Sequence, residues 1–74
     1  MSYYKYVNML HEAGFRELGY FTGFHSFLSV DTLITVMETH GGFQVTIDSV
    51  AKNMGECYYC YNDNHLCHLL EEYL

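Results

Sequence analysis

Apolar residues recur at helical spacing in about four stretches of the chain. Between Ser2 and Ala13, the side chains of Tyr6, Met9, Leu10 and Ala13 fall at i, i+3, i+4 and i+7 and so share one helix face. Ser2 can accept from the free N–H groups of the first turn. Gly14 can take the left-handed conformation that ends the helix, with Phe15 folding back. From about Val30 to His40, Leu33, Val36, Met37 and His40 repeat the spacing, with Ser29 as cap and Gly41 as stop. Ile47, Val50, Ala51 and Met54 repeat it again between Thr46 and Gly55. From Asp63 to Leu74, Leu66, Leu69, Leu70 and Tyr73 share a face, capped by Asn62 or Asp63.

A competing signal runs through the middle of the chain. Thr32, Ile34, Thr35, Val36 and Thr39 are β-branched, which favours a strand. Gly41–Gly42 could then turn a hairpin into Phe43–Asp48, where apolar and polar residues alternate. One long hairpin would leave Val50, Ala51 and Met54 without a role. The spacing therefore predicts helix, Gly-Gly turn, a short extended Phe43–Val45, then helix. The aromatic stretch Phe15–Phe27, broken by Gly19 and Gly23, and the stretch Glu56–Tyr61 have the composition of short strands that could pair as a small ribbon.

Leu33 to Gly55, reading LITVMETHGGFQVTIDSVAKNMG, resembles the first two helices of a helix-turn-helix core. In that family a small residue sits inside a motif helix and a glycine follows four positions later; Ala51 and Gly55 match. The likeness departs where a recognition helix should follow. Asn62-Asp63-Asn64 reads as a break there, and no arginine or lysine follows Lys52. The expected fold is mainly α, a single domain over residues 1–74. It is a compact bundle of about four short helices with a helix-turn-helix-like core and room for a small β ribbon. The alternative is an α+β fold with a hairpin at Gly41–Gly42.

Length and composition narrow the picture. Seventy-four residues leave room for one core, and 50% hydrophobic content is enough to fold. Such a short chain buries only about 60% of its unfolded surface, so its stability margin is thin. No apolar run approaches the ~18 residues of a membrane span. The start MSYYKYVNML lacks the apolar stretch of a secretory signal. With cysteines and no signal, a reducing cytoplasm is the expected setting.

Charge excludes more than it identifies. Nine acids face three bases, a net charge of −6. Lys5, Arg16 and Lys52 are scattered, so no basic stripe is available to replace counterions on nucleic acid or to meet an anionic membrane. Direct binding to either is not expected. From Glu38 onward, Glu38, Asp48, Glu56, Asp63, Glu71 and Glu72 oppose Lys52 alone. Such a field keeps a small domain dissolved and steers basic partners in.

Cys57, Cys60, His65, Cys67 and His68 lie close in sequence. Cys57-x2-Cys60-x4-His65 matches three ligands of a zinc knuckle, but the fourth position is Leu70. No metal or other cofactor is expected. If zinc were held, Cys57, Cys60, His65 and Cys67 would be the ligands of a stapled interaction module. Cys57-x-x-Cys60 as a redox pair would need a thioredoxin-like sheet that this length cannot supply. There is no phosphate loop, dinucleotide fingerprint or metalloprotease helix, and no catalytic residue is assigned.

Eight tyrosines remain, among them Tyr3, Tyr4 and Tyr6, and Tyr58, Tyr59 and Tyr61. Tyrosine offers large contact area and a polar tip at modest entropic cost. A short, acidic, tyrosine-rich chain resembles by type the small inhibitors that phages encode against host machines, including anti-CRISPR proteins. That resemblance implies a non-enzymatic inhibitor that occludes a basic groove of a nucleic-acid-handling complex. The expected partner-binding residues are Glu38, Asp48, Glu56, Asp63, Glu71, Glu72, Tyr58 and Tyr59. A homodimer is left open. The alternatives are a helix-turn-helix regulator and the zinc-stapled module.

Overall fold

The computed structural model describes residues 4–21, 23–50 and 53–74. The order is α1 (Lys5–Glu12), β1 (Arg16–Phe21), β2 (Phe24–Leu28), β3 (Thr32–Thr39), β4 (Gly42–Ser49), β5 (Met54–Cys60) and α2 (Asp63–Glu71). The strands form one antiparallel meander in sequence order, β1-β2-β3-β4-β5. Two short helices lie on one face of it. The chain is therefore a strand-rich α+β domain, and the expectation of a mainly helical bundle is overturned.

The middle of the chain decides this. Val30–His40, read as a helix, holds strand β3. Of the residues read as the third helix, Ile47 belongs to β4 and Met54 begins β5. The helix-turn-helix likeness at Leu33–Gly55 falls with them, since the described residues of that segment build β3, β4 and the start of β5. Ala51 lies outside the described residues. Two periods competed at β3, and the strand period won because Ile34 and Val36 can both be buried while Leu33 and Met37 turn to the other face. The β3–β4 hairpin pairs Thr39 with Gly42 and turns at His40–Gly41, which is the competing hairpin. The two aromatic stretches do not pair with each other: β1 and β2 lie at one edge of the sheet, and β5 forms the other.

Alternation separates the two sheet faces. His25, Phe27, Ile34, Val36, Phe43, Val45, Ile47 and Cys60 point toward the helices and are buried. Tyr6, Val7 and Leu10 of α1 and Leu66 and Leu70 of α2 cover them. Each such large side chain contributes roughly 1.5–3 kcal/mol on burial. Among the described residues no helix packs on the opposite face. Cross-strand rows there run Phe24–Met37–Gln44–Tyr59 and Ser26–Thr35–Thr46–Cys57.

Local chemistry fixes the helix ends. After α1, the Gly14 N–H donates to the His11 carbonyl and the Phe15 N–H to the Leu10 carbonyl, with Gly14 at φ +93° and Phe15 buried. This is the Schellman arrangement that glycine permits. Ser2, the expected cap of α1, lies outside the described residues. The carboxylate of Asp63 accepts the backbone N–H of Lys5 at 2.5 Å and of Tyr6 at 3.1 Å. Asn62 caps α2, its Oδ1 accepting from the His65 N–H at 2.8 Å. Among the described residues no helix is long and apolar enough to cross a membrane.

Candidate functional site

The two helices run side by side in the same direction. Asp63, at the start of α2, holds the start of α1. Phe15, just after α1, and Tyr73, just after α2, line one cavity at the other end. Each end of this layer meets a different polar group of the sheet.

Toward β1 and β2, a chain of hydrogen bonds runs beneath α1. The Tyr6 hydroxyl meets Nδ1 of the buried His25 at 3.2 Å. His25 Nε2 contacts Glu17 Oε2, and His11 Nε2 lies 3.3 Å from Glu17 Oε1. The ionised Glu17 accepts from the Nε2–H, so in the neutral ring Nδ1 accepts from Tyr6. The His25 hydrogen bond is the main force holding the Glu17 carboxyl below its ordinary pKa. Nearby, Glu38 accepts from the Tyr4 hydroxyl at 2.7 Å and the Tyr20 hydroxyl at 3.1 Å. The bond to Glu38, with burial second, pushes the Tyr4 phenol up to about 12. Burial raises Tyr6, and Glu38 raises Tyr20. A carboxylate–imidazole–phenol relay has the parts of an acid–base site. Here both ring nitrogens are engaged by protein groups and the Tyr6 ring is fully buried, so the Glu17 carboxylate is the member of the relay that reaches the surface. The relay ties α1 to β1 and β2.

The other end is open. A cavity of about 190 Å³ has Phe15, Ile34 and Ile47 as its apolar wall and Thr32, Ser49 and Tyr73 as hydroxyl-bearing wall. The exposed Asp31 stands on its lining. The Tyr73 hydroxyl donates to Glu56 Oε2 at 3.3 Å and contacts the Tyr58 hydroxyl. Burial, then the Glu56 charge, raises the Tyr73 phenol. Both helices end here, so the negative poles of their dipoles face this corner. Glu71 and Glu72 close α2 at the same end.

The expected partner-binding residues are thus divided. Glu56 meets the cavity through the Tyr73 hydroxyl and Asp31 lies on its lining, whereas Glu71 is directed along α2 toward His68, its Oε2 3.9 Å from Nδ1, and Glu72 is exposed at the helix end. Glu38 receives two tyrosine hydroxyls, and Asp63 caps α1. Asp48 is exposed on the opposite sheet face, across from Gly55. Tyr58 faces the helices, half-buried against Tyr73. Tyr59 is exposed on the other face and meets Tyr61 edge-on at 5.7 Å.

The cysteines are separated by strand geometry. Cys57 and Cys60, three apart on β5, point to opposite faces; Cys57 is exposed and Cys60 buried. Cys67 lies on α2, its thiol directed at Asp63 Oδ1 at 3.7 Å, and His65 Nδ1 accepts the Tyr61 N–H. Among the described residues no three histidine, cysteine or acidic side chains converge as a metal site. Burial pushes the Cys60 thiol up; burial, then the Asp63 charge, takes Cys67 to about 11.

Sequence reasoning missed Asp31, Thr32 and Ser49 at the cavity and the Tyr6–His25–Glu17 relay. A signal for the relay existed: His25 and Phe27 are two apart in a short aromatic stretch, hence on one strand face. The chain matches no family model, curated protein or solved structure.

Proposed function

We propose that this chain is a non-catalytic inhibitor that docks on a basic surface of a partner protein, an anti-CRISPR-like blocker of a nucleic-acid-handling complex. The observation carrying this reading is the pairing of Asp31, on the lining of an open cavity, with Glu56, which accepts from the Tyr73 hydroxyl of that lining, at the negative ends of both helices. The described cations lie elsewhere: Lys5 Nζ donates to Asn64 at the opposite end, and Arg16 belongs to the outer face of β1. A surface with this polarity attracts Lys- and Arg-rich grooves and repels phosphate. The inhibitor fills the groove and excludes the nucleic acid that normally lies there. Tyr73, on the cavity lining, supplies aromatic contact area at this corner. With its cysteines apart and unpaired, the chain suits a reducing cytoplasm.

The test is affinity capture with the tagged chain at low and high salt, followed by assay of the captured complex. The reading expects a partner released by salt that loses nucleic-acid binding when the chain is added back. A partner that keeps its nucleic acid, or a direct gel shift of DNA by the chain itself, overturns it.

A further inference from the structure

We propose that the cavity between Phe15 and Tyr73 is a receptor for one arginine side chain projecting from the partner's basic surface. This rests on the protein-binding reading above and names the contact through which it works.

The size fits one long side chain. About 190 Å³ is comparable to the ~150 Å³ cavity that takes up a benzene ring, so it admits one side chain and is too small for a folded element. The wall chemistry is divided in the way an arginine is divided. Phe15, Ile34 and Ile47 offer apolar surface to the methylene stem. Tyr73 brings an aromatic ring to the lining, and Thr32 and Ser49 bring hydroxyl-bearing side chains that suit a planar guanidinium.

The charges select a cation. Asp31 brings a carboxylate from the segment between β2 and β3. Its Oδ1 accepts from Thr32 Oγ1 at 3.0 Å, which orients the group beside the cavity. Glu56 stands behind the Tyr73 hydroxyl, paired across the sheet with the wall residue Ile47. The two helix C-termini add partial negative charge from a third direction. A neutral apolar guest would leave Asp31 without a counter-charge, and an anion would be repelled. Arginine is favoured over lysine because its fork can meet a carboxylate and neighbouring hydroxyls at once.

The full-length chain, labelled with 15N, is titrated with N-acetyl-arginine amide and separately with N-acetyl-citrulline amide, which has nearly the same shape without the charge. One side chain should bind with an affinity of about millimolar, which amide shifts can follow. The expected result is saturable shifts centred on Phe15, Asp31, Thr32, Ser49 and Tyr73 with arginine, and at least about tenfold weaker binding of citrulline. Asp31→Asn, an exposed substitution whose intact spectrum verifies folding, should weaken arginine roughly fivefold. Equal response to citrulline, shifts scattered over the acidic surface, no saturable shift, or indifference to Asp31→Asn each overturns the proposal. The two readings fail separately. Arginine binding with no inhibited partner removes the inhibitor reading alone. An inhibited partner whose affinity ignores Asp31→Asn removes the arginine receptor alone.

Discussion

Asp63 holds Tyr6 across 57 positions of chain: its Oδ1 accepts the Tyr6 backbone N–H at 3.1 Å while Oδ2 takes the neighbouring N–H of Lys5. A residue in the last helix thereby does for the first helix what a local cap usually does. The contact is charge-assisted and lies beside the positive end of α1. Asp63→Ala should lower stability by about 1–2 kcal/mol in urea unfolding, with an unchanged m value. Asp63→Asn keeps one acceptor and turns a donor toward the other N–H, so it should lose less than alanine does. An unaffected midpoint for both variants would mean that water replaces the cap fully.

Acid should weaken the fold through Glu17. Its folded pKa lies below the unfolded value, chiefly because His25 donates to it. The stabilisation is therefore fully present above the unfolded pKa of about 4.3 and disappears as pH falls through the lower, folded value. Urea midpoints measured from pH 7 downward should decline across that window. Glu17→Gln should flatten the decline; parallel curves for both proteins would assign the acid sensitivity to other carboxyls.

Alkylation should discriminate the thiols. Cys57 is exposed on the uncovered sheet face, near Gln44 Nε2. Cys60 is buried, and Cys67 is raised to about 11 beside Asp63. Under native conditions near pH 8, iodoacetamide should add one group rapidly, mapped by peptide mass to Cys57. Cys57→Ser should abolish the fast addition without changing the unfolding midpoint by more than about 0.5 kcal/mol.

Gly42 should tolerate no side chain. A Cβ there would sit 2.2 Å from the Cys60 carbonyl oxygen and 3.1 Å from Tyr61 Cα, against backbone that cannot swing aside. Gly42→Ala should cost about 3 kcal/mol, at the top of the overpacking range. Gly14→Ala, with open space but φ +93°, should cost only ~1 kcal/mol for the left-handed backbone. Circular dichroism melts of the two variants would rank them.

The terminal helices were legible because their signals agree at every level. Tyr6 and Leu10, then Leu66 and Leu70, keep helical spacing, and Gly14 and Asn62 mark ends that the fold uses. The centre misled because a short apolar set fits two periods. Leu33, Val36 and Met37 match a helix, while Ile34 and Val36 match a strand, and only pairing with Ile47 and Val45 decides between them. That pairing is tertiary information. The same holds for the site. Glu56 was found by charge alone, whereas Asp31 joins it only once β3 and β4 lie side by side. Glu38 and Asp63 carried the same formal charge and proved to be engaged by tyrosine hydroxyls and helix N–H groups.

The shared cap also sets an order of assembly. During synthesis α1 leaves the ribosome before the sheet, with residues that later form the core, but its opening N–H groups have no Asp63 to receive them until β5 has been made. The meander can grow hairpin by hairpin from local contacts. The helical layer cannot, because Tyr6 and Leu10 need Leu66 and Leu70 beside them. Closure of this protein is therefore a late event, and a chain cut short before α2 would carry a sheet with no finished lid.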